Sequence, residues 1–164
     1  MIGNSSTFEI VREYFSAPDY EATQAGNKPI LYLKFEERFD GDRDEKWEAK
    51  IIVSEYAFFQ KIILFSFIPF NISRDKQELV VELLNRINYA EDIGSFEMDY
   101  NTGRVRCKTG IQIVEDNVNS DIIIGIEESN SNLMGKYIPI IDQVNKGELL
   151  PMDAIDDDDY DNYE

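Results

Sequence analysis

An α+β fold in two layers is what this sequence predicts, an antiparallel five-stranded sheet carrying helices in the order α-β-β-β-α-β-β-α. Three observations carry the prediction. Polar and apolar residues alternate at a period of two in Leu31–Glu36 and Trp47–Ser54, and again in Phe96–Tyr100 and Val105–Ile113. Apolar stripes at helical spacing flank and separate these runs. The length of 164 residues, 43% of them hydrophobic, is that of one domain able to bury about 70% of its unfolded surface. We divide the sequence into a single domain over 1–150 and an acidic tail over 151–164, whose run of like charges from Asp156 to Asp159 predicts disorder.

The first helix opens at Ser6-Thr7-Phe8-Glu9, a capping-box pattern in which the Ser6 hydroxyl and the Glu9 carboxylate each satisfy an orphan N–H. Phe8, Val11 and Phe15 fall on one face, and Ala17-Pro18-Asp19 ends the element. A polar connection through Gln24-Ala25-Gly26-Asn27 leads to Pro29, placed at a strand start where its missing N–H does little harm. Leu31, Leu33 and Phe35 then alternate with Tyr32, Lys34 and Glu36; after a charged link, Trp47, Ala49, Ile51 and Val53 alternate with Glu48, Lys50, Ile52 and Ser54.

The third run, Phe58 to Ile68, is apolar at both parities, the pattern of a strand covered on two sides. Asn71 or Ser73 caps the second helix, whose stripe is Leu79, Val80, Leu83, Leu84 and Ile87. Phe96, Met98 and Tyr100 lead into Asn101-Thr102-Gly103, followed by Val105, Cys107, Thr109, Ile111 and Ile113. Keeping apolar opposite apolar requires an even loop of two or four residues, which sets Glu97 and Asp99 across from Arg104, Arg106 and Lys108. The last helix begins near Asn119-Ser120-Asp121 and closes at Asn145-Lys146-Gly147. Pro139 inside it removes one N–H and crowds the carbonyl of Gly135, which predicts a kink or break over 135–139.

Charge and composition exclude several functions. A net charge of −17 argues against nucleic acid and anionic lipid, both of which need Lys and Arg at the contact. The start lacks the basic and apolar regions of a signal peptide, and the longest apolar run, Ile62 to Phe70, is far short of the roughly 20 residues of a membrane span. A lone Cys107 makes no internal disulfide and fits a reducing cytoplasm. With no His in the chain, no Ser-His-Asp or Cys-His set exists.

Local motifs resolve to surface features. Asp40-Gly41-Asp42-Arg43-Asp44 resembles half a calcium loop, but Glu45 stands where Gly is needed and Ile51 where a bidentate Glu is needed. The pairs Glu36-Glu37 and Glu127-Glu128 point apart on a strand or helix and read as solvated surface. Lys108-Thr109 lies in a strand without phosphate-loop spacing. The sequence therefore predicts no enzyme, cofactor or metal site.

Functional weight rests on the run Phe58–Ile68. With its odd positions under the helices, Phe58, Ile62 and Leu64 point outward, joined by Tyr32 and Ile52 from neighbouring strands as a partner or dimer surface. Burying four or five such side chains contributes ~6–12 kcal/mol gross, against an association cost of ~4–15 kcal/mol. The competing reading is that the chain's own loops or helices cover this face.

The order of elements resembles the type III secretion chaperone-like fold and, within it, the YbjN family of small bacterial proteins. The resemblance covers residues 28–148 and is carried by Phe70 entering the second helix, by Asn88, Gly94, Phe96, Asp99, Gly103 and Val105, and by Tyr137-Ile138-Pro139. It departs at the polar Ser129-Asn130-Ser131-Asn132 patch and at the tail. The resemblance implies a small acidic cytoplasmic dimer that binds protein segments without nucleotide, and brings no residue with a catalytic role. Together these readings predict a non-enzymatic protein-binding homodimer, chaperone-like or regulatory, with an unidentified protein partner. The alternatives are a small-molecule-binding regulator, with Tyr89, Tyr100 or Trp47 offering polar tips in an enclosed pocket, and a structural subunit of a larger complex.

Overall fold

The computed structural model describes residues 6–39, 43–114 and 117–155. Its elements are α1 (Thr7–Tyr14), β1 (Glu21–Gln24), β2 (Ile30–Phe39), β3 (Arg43–Glu55), β4 (Phe59–Asn71), α2 (Gln77–Ala90), β5 (Ser95–Asp99), β6 (Arg104–Val114) and α3 (Ser120–Lys146), with short 3-10 turns at Arg74–Lys76 and Pro151–Asp153. One antiparallel sheet of order β1-β2-β3-β4-β6-β5 forms one layer and the three helices the other. The expected five strands are thus six. Glu21–Gln24, expected as a connection, pairs with Leu31–Lys34 of β2 as an edge strand. Its side chains bury almost nothing, so hydrophobic alternation gives it no signal; backbone hydrogen bonds to β2 and the exposed Lys34–Glu21 ion pair hold it.

Burial follows the alternation elsewhere. Leu31, Leu33 and Phe35 of β2, Trp47, Ala49, Ile51 and Val53 of β3, and Val105, Cys107 and Thr109 of β6 lie under the helices. From above they meet Val11, Phe15, Val80, Leu83, Ile87 and the buried stripe of α3. The β5–β6 hairpin has the four-residue loop 100–103, which sets Glu97 opposite Arg106 and Asp99 opposite Arg104. Ser6 caps α1 through its hydroxyl, which accepts from the Glu9 N–H, while the Glu9 carboxylate turns to Arg12 instead of closing the box. Asn71 belongs to β4, and Ser73 precedes the turn before α2 without a side-chain cap bond.

Pro139 lies within an unbroken α3. The carbonyl that its missing N–H would leave unsatisfied, Gly135 O, accepts a bond from Arg43 Nη2 at 2.6 Å. The expected kink or break is therefore answered from outside the helix. Phe39 packs so closely on the same turn that a Cβ at Gly135 would stand 2.2 Å from its ring. The polar patch in α3 is also absorbed by packing: Asn130 Nδ2 donates to Thr109 Oγ1, which donates to the Ile126 carbonyl, and Ser131 Oγ donates to Glu37. The packed chain also extends past residue 150, the expected domain end, since Pro151 and Ile155 are buried against the core.

Candidate functional site

Residues of one parity on each strand face away from all three helices. From β4 they are Phe59, Lys61, Ile63, Phe65 and Phe67, and the ladder places Ile52 beside Ile63 and Lys50 beside Phe65. None of the apolar residues among them belongs to the core cluster. The parity of β4 is thus the reverse of the expected one: Ile62 and Leu64 are buried under the helices, not presented to a partner. The physical reason is the turn. Glu55 pairs with Gln60, so odd residues of β3 stand opposite even residues of β4, and Ile51 and Val53 take Leu64 and Ile62 into the core with them. Of the five predicted surface residues, Tyr32 and Ile52 share the helix-free face, Phe58 stands 85% exposed on the β3–β4 turn, and the other two are core.

Cations screen the outer side of β4. The Arg104 guanidinium lies 3.9 Å from the Phe67 ring centroid and that of Arg106 4.2 Å from Phe65, while Lys50 covers Phe65 and Lys61 covers Phe59 at about 5.5 Å. Such stacks contribute ~0.5–1 kcal/mol each where solvated. Their aliphatic stems also remove ring surface from water, which leaves Phe65 only 9% exposed. The greasy outer stripe is therefore shielded in part by its own chain.

Half of the sixteen basic residues stand on this face: Lys34 and Arg38 from β2, Lys46 and Lys50 from β3, Lys61 from β4, and Arg104, Arg106 and Lys108 from β6. Among the described residues six carboxylates share it, namely Glu21, Glu36, Asp44, Glu48, Glu97 and Asp99. The face thus carries, among the described residues, two positive charges in excess, on a chain of −17. Most of these cations are paired, as Lys34 is with Glu21, Lys46 with Glu36, Arg38 with Asp44, and Arg106 and Lys108 with Glu97. Burial opposes ionisation of Glu97, but the bonds from Lys108 and Arg106 outweigh it and hold the carboxyl below its usual range. Among the described residues, Lys50 and Lys61 meet rings and no carboxylate.

A solvent-open cleft of about 1450 Å³ adjoins this face where β3 and β4 separate. The β3–β4 ladder ends at Glu48 and Phe67, whereas β3 continues beside β2 as far as Arg43. Lys34, Lys46, Arg104, Glu48, Phe67 and Phe70 are among its walls. The tyrosines and tryptophan expected to line an enclosed pocket are not brought together: Trp47 Nε1 donates to buried Ser66 Oγ at 3.1 Å, and Tyr89 and Tyr100 are exposed. Asp40–Asp42 of the calcium-loop resemblance lie outside the described residues, and Asp44 is held by Arg38.

Titratable groups on the helix side are structural ties. Tyr14 and Tyr20 both donate to Glu127 of α3, and burial followed by these bonds pushes their hydroxyls up. Tyr137 donates to Glu91 at 2.5 Å, and burial pushes it up to about 12. The Cys107 thiol is raised to about 12 by burial and, secondarily, by Glu91 and Glu97. We expect Ellman's reagent at pH 8 to label it only as fast as the chain unfolds; labelling of the native protein at the rate of a free thiol would contradict this burial.

No described helix is long and apolar enough to cross a membrane. By fold and site this is an α+β protein with one helix-covered and one helix-free sheet face. Neither the family models nor the curated proteins include a match to the chain.

Proposed function

We propose that this chain is a non-enzymatic protein-binding module related to the YbjN family, acting in the cytoplasm as a homodimer with chaperone-like or regulatory effect. The observation that supports it best is the helix-free face, where an aromatic stripe lies under cations while the rest of a strongly acidic molecule repels anionic partners. Lys50 and Lys61 lie over rings and, among the described residues, pair with no carboxylate, so the partner class that fits is a protein segment presenting Asp or Glu between apolar side chains.

The test compares proteins captured from the source organism's lysate by the wild-type chain and by the double variant Lys50→Glu, Lys61→Glu. Expected is a partner retained by the first and lost from the second, with unchanged circular dichroism. Identical captures would overturn the assignment of this face. The open cleft favours the second reading, a small-molecule-binding regulator, because its walls combine aromatic rings with charges of both signs. A thermal-shift screen of common metabolites that raises the melting temperature would favour that reading.

A further inference from the structure

β6 is eleven residues long and its outer neighbour β5 only five, so β5 covers Arg104–Lys108 and stops. From Thr109 to Val114, β6 pairs with β4 on one side and, among the described residues, with no strand on the other. A row of unpaired N–H and C=O groups is a template for another strand, and proteins blunt such rows with charge, proline, shortness or cover. The other edges here are blunted. β1 has four residues, and the stretch of β2 beyond it carries Glu36-Glu37-Arg38. The separated end of β3 reads Arg43-Asp44-Glu45-Lys46, and that of β4 contains Pro69. β5 is tied at Phe96 by both ends of the Asn88 amide. Thr109-Gly110-Ile111-Gln112-Ile113-Val114 alone has no charge and no proline. It also exposes apolar side chains, Ile111 at 41% and Val114 at 64%, beside the exposed Ile93 and Phe58.

We propose that this edge pairs with the same edge of a second copy, antiparallel about a two-fold axis at Ile111, joining two sheets into one. This rests on the reading of the chain as a homodimer and adds where and how the copies meet. Charge selects the occupant. Two molecules of −17 repel over most of their surface, and they approach most easily along six uncharged residues that follow Lys108 and lie beside Lys61, before Glu115-Asp116 resumes the acidic sequence. Shape agrees. In an antiparallel pair opposite residues share a face, so an axis at Ile111 sets Ile111 against its copy and Thr109 against Ile113 on the helix side, with Gly110 against Gln112 on the other. Gly110 leaves a notch, part of a groove of about 430 Å³ walled by Lys61, Ile63, Ile93 and Lys108, which the partner's Gln112 side chain enters.

The full chain is tested by sedimentation at rising concentration and salt, and by cysteine cross-linking. Opposed residues stand about 4.5–5.5 Å apart at Cα, within the span of a disulfide. Expected are a dimer that tightens as salt screens the net charge, near-complete oxidation of Ile111→Cys to a covalent dimer, and no linking of Tyr32→Cys on the helix-free face. Ile111→Lys is expected to weaken the dimer at least about tenfold with the circular dichroism spectrum retained. A strict monomer at high concentration and salt overturns both the homodimer and the edge. A dimer that survives Ile111→Lys and leaves Ile111→Cys unlinked overturns the edge alone and leaves the homodimer standing.

Discussion

Leu64→Asp is expected to leave the chain unfolded, while Ile63→Asp one residue away is expected to leave it folded and within about 1 kcal/mol of wild type. Leu64 is 1% exposed beneath the helices, in contact with the main core cluster. Replacing it removes a buried side chain worth ~1.5–3 kcal/mol and leaves a carboxylate without a partner in an apolar interior. The sum exceeds ~5 kcal/mol, comparable with the whole stability of a domain of this size. Ile63 faces the other way, between Ile52 and Gly110, with the lysines of the helix-free face nearby. Urea titration followed by circular dichroism checks both, and a folded Leu64→Asp with an unfolded Ile63→Asp would reverse the face assignment.

The second large effect lies where α3 meets the β2–β3 hairpin. Gly135→Ala alone is expected to destabilise by ~1–3 kcal/mol, because its Cβ would meet the Phe39 ring at 2.2 Å. This sign is opposite to the helix-propensity rule, by which alanine in a helix interior gains about 1 kcal/mol over glycine. With Phe39→Ala as background, the clash is gone and the same substitution is expected to stabilise by up to about 1 kcal/mol. A double-mutant cycle by denaturant unfolding measures the reversal. A stabilising Gly135→Ala in the wild-type background would show that Phe39 does not hold this glycine in place.

The pattern of the chain made much of the fold legible. Leu31, Leu33 and Phe35, and Trp47 to Val53, alternate against charged neighbours, so their inward face follows from period two alone. An even hairpin loop with Glu97 and Asp99 opposite basic residues follows from the same parity, while its length of four is decided by the pairing of Asp99 with Arg104. Val80, Leu83, Leu84 and Ile87 are buried as their helical spacing requires. β4 was readable as a strand but not as to its faces, since Phe59 to Phe67 and Ile62 to Ile68 are almost equally apolar and alternation then has no sign. Three of the five proposed surface residues kept an outward or exposed position; Ile62 and Leu64 did not.

By itself, the order of residues determined the class of the fold, the strand alternation, the helix stripes and the absence of histidine chemistry, because these depend on near neighbours and on composition. Tertiary structure alone decided the rest. It recruited the polar Glu21–Gln24 as a strand, supplied Arg43 to the carbonyl released by Pro139, laid Arg104 and Arg106 on Phe67 and Phe65, and left the outer edge of Thr109–Val114 of β6 without a paired strand among the described residues. Each of these joins groups from separate segments or turns on the unequal lengths of paired strands, and local periodicity holds no information about which segment will arrive at an unsatisfied backbone group or an open ring face.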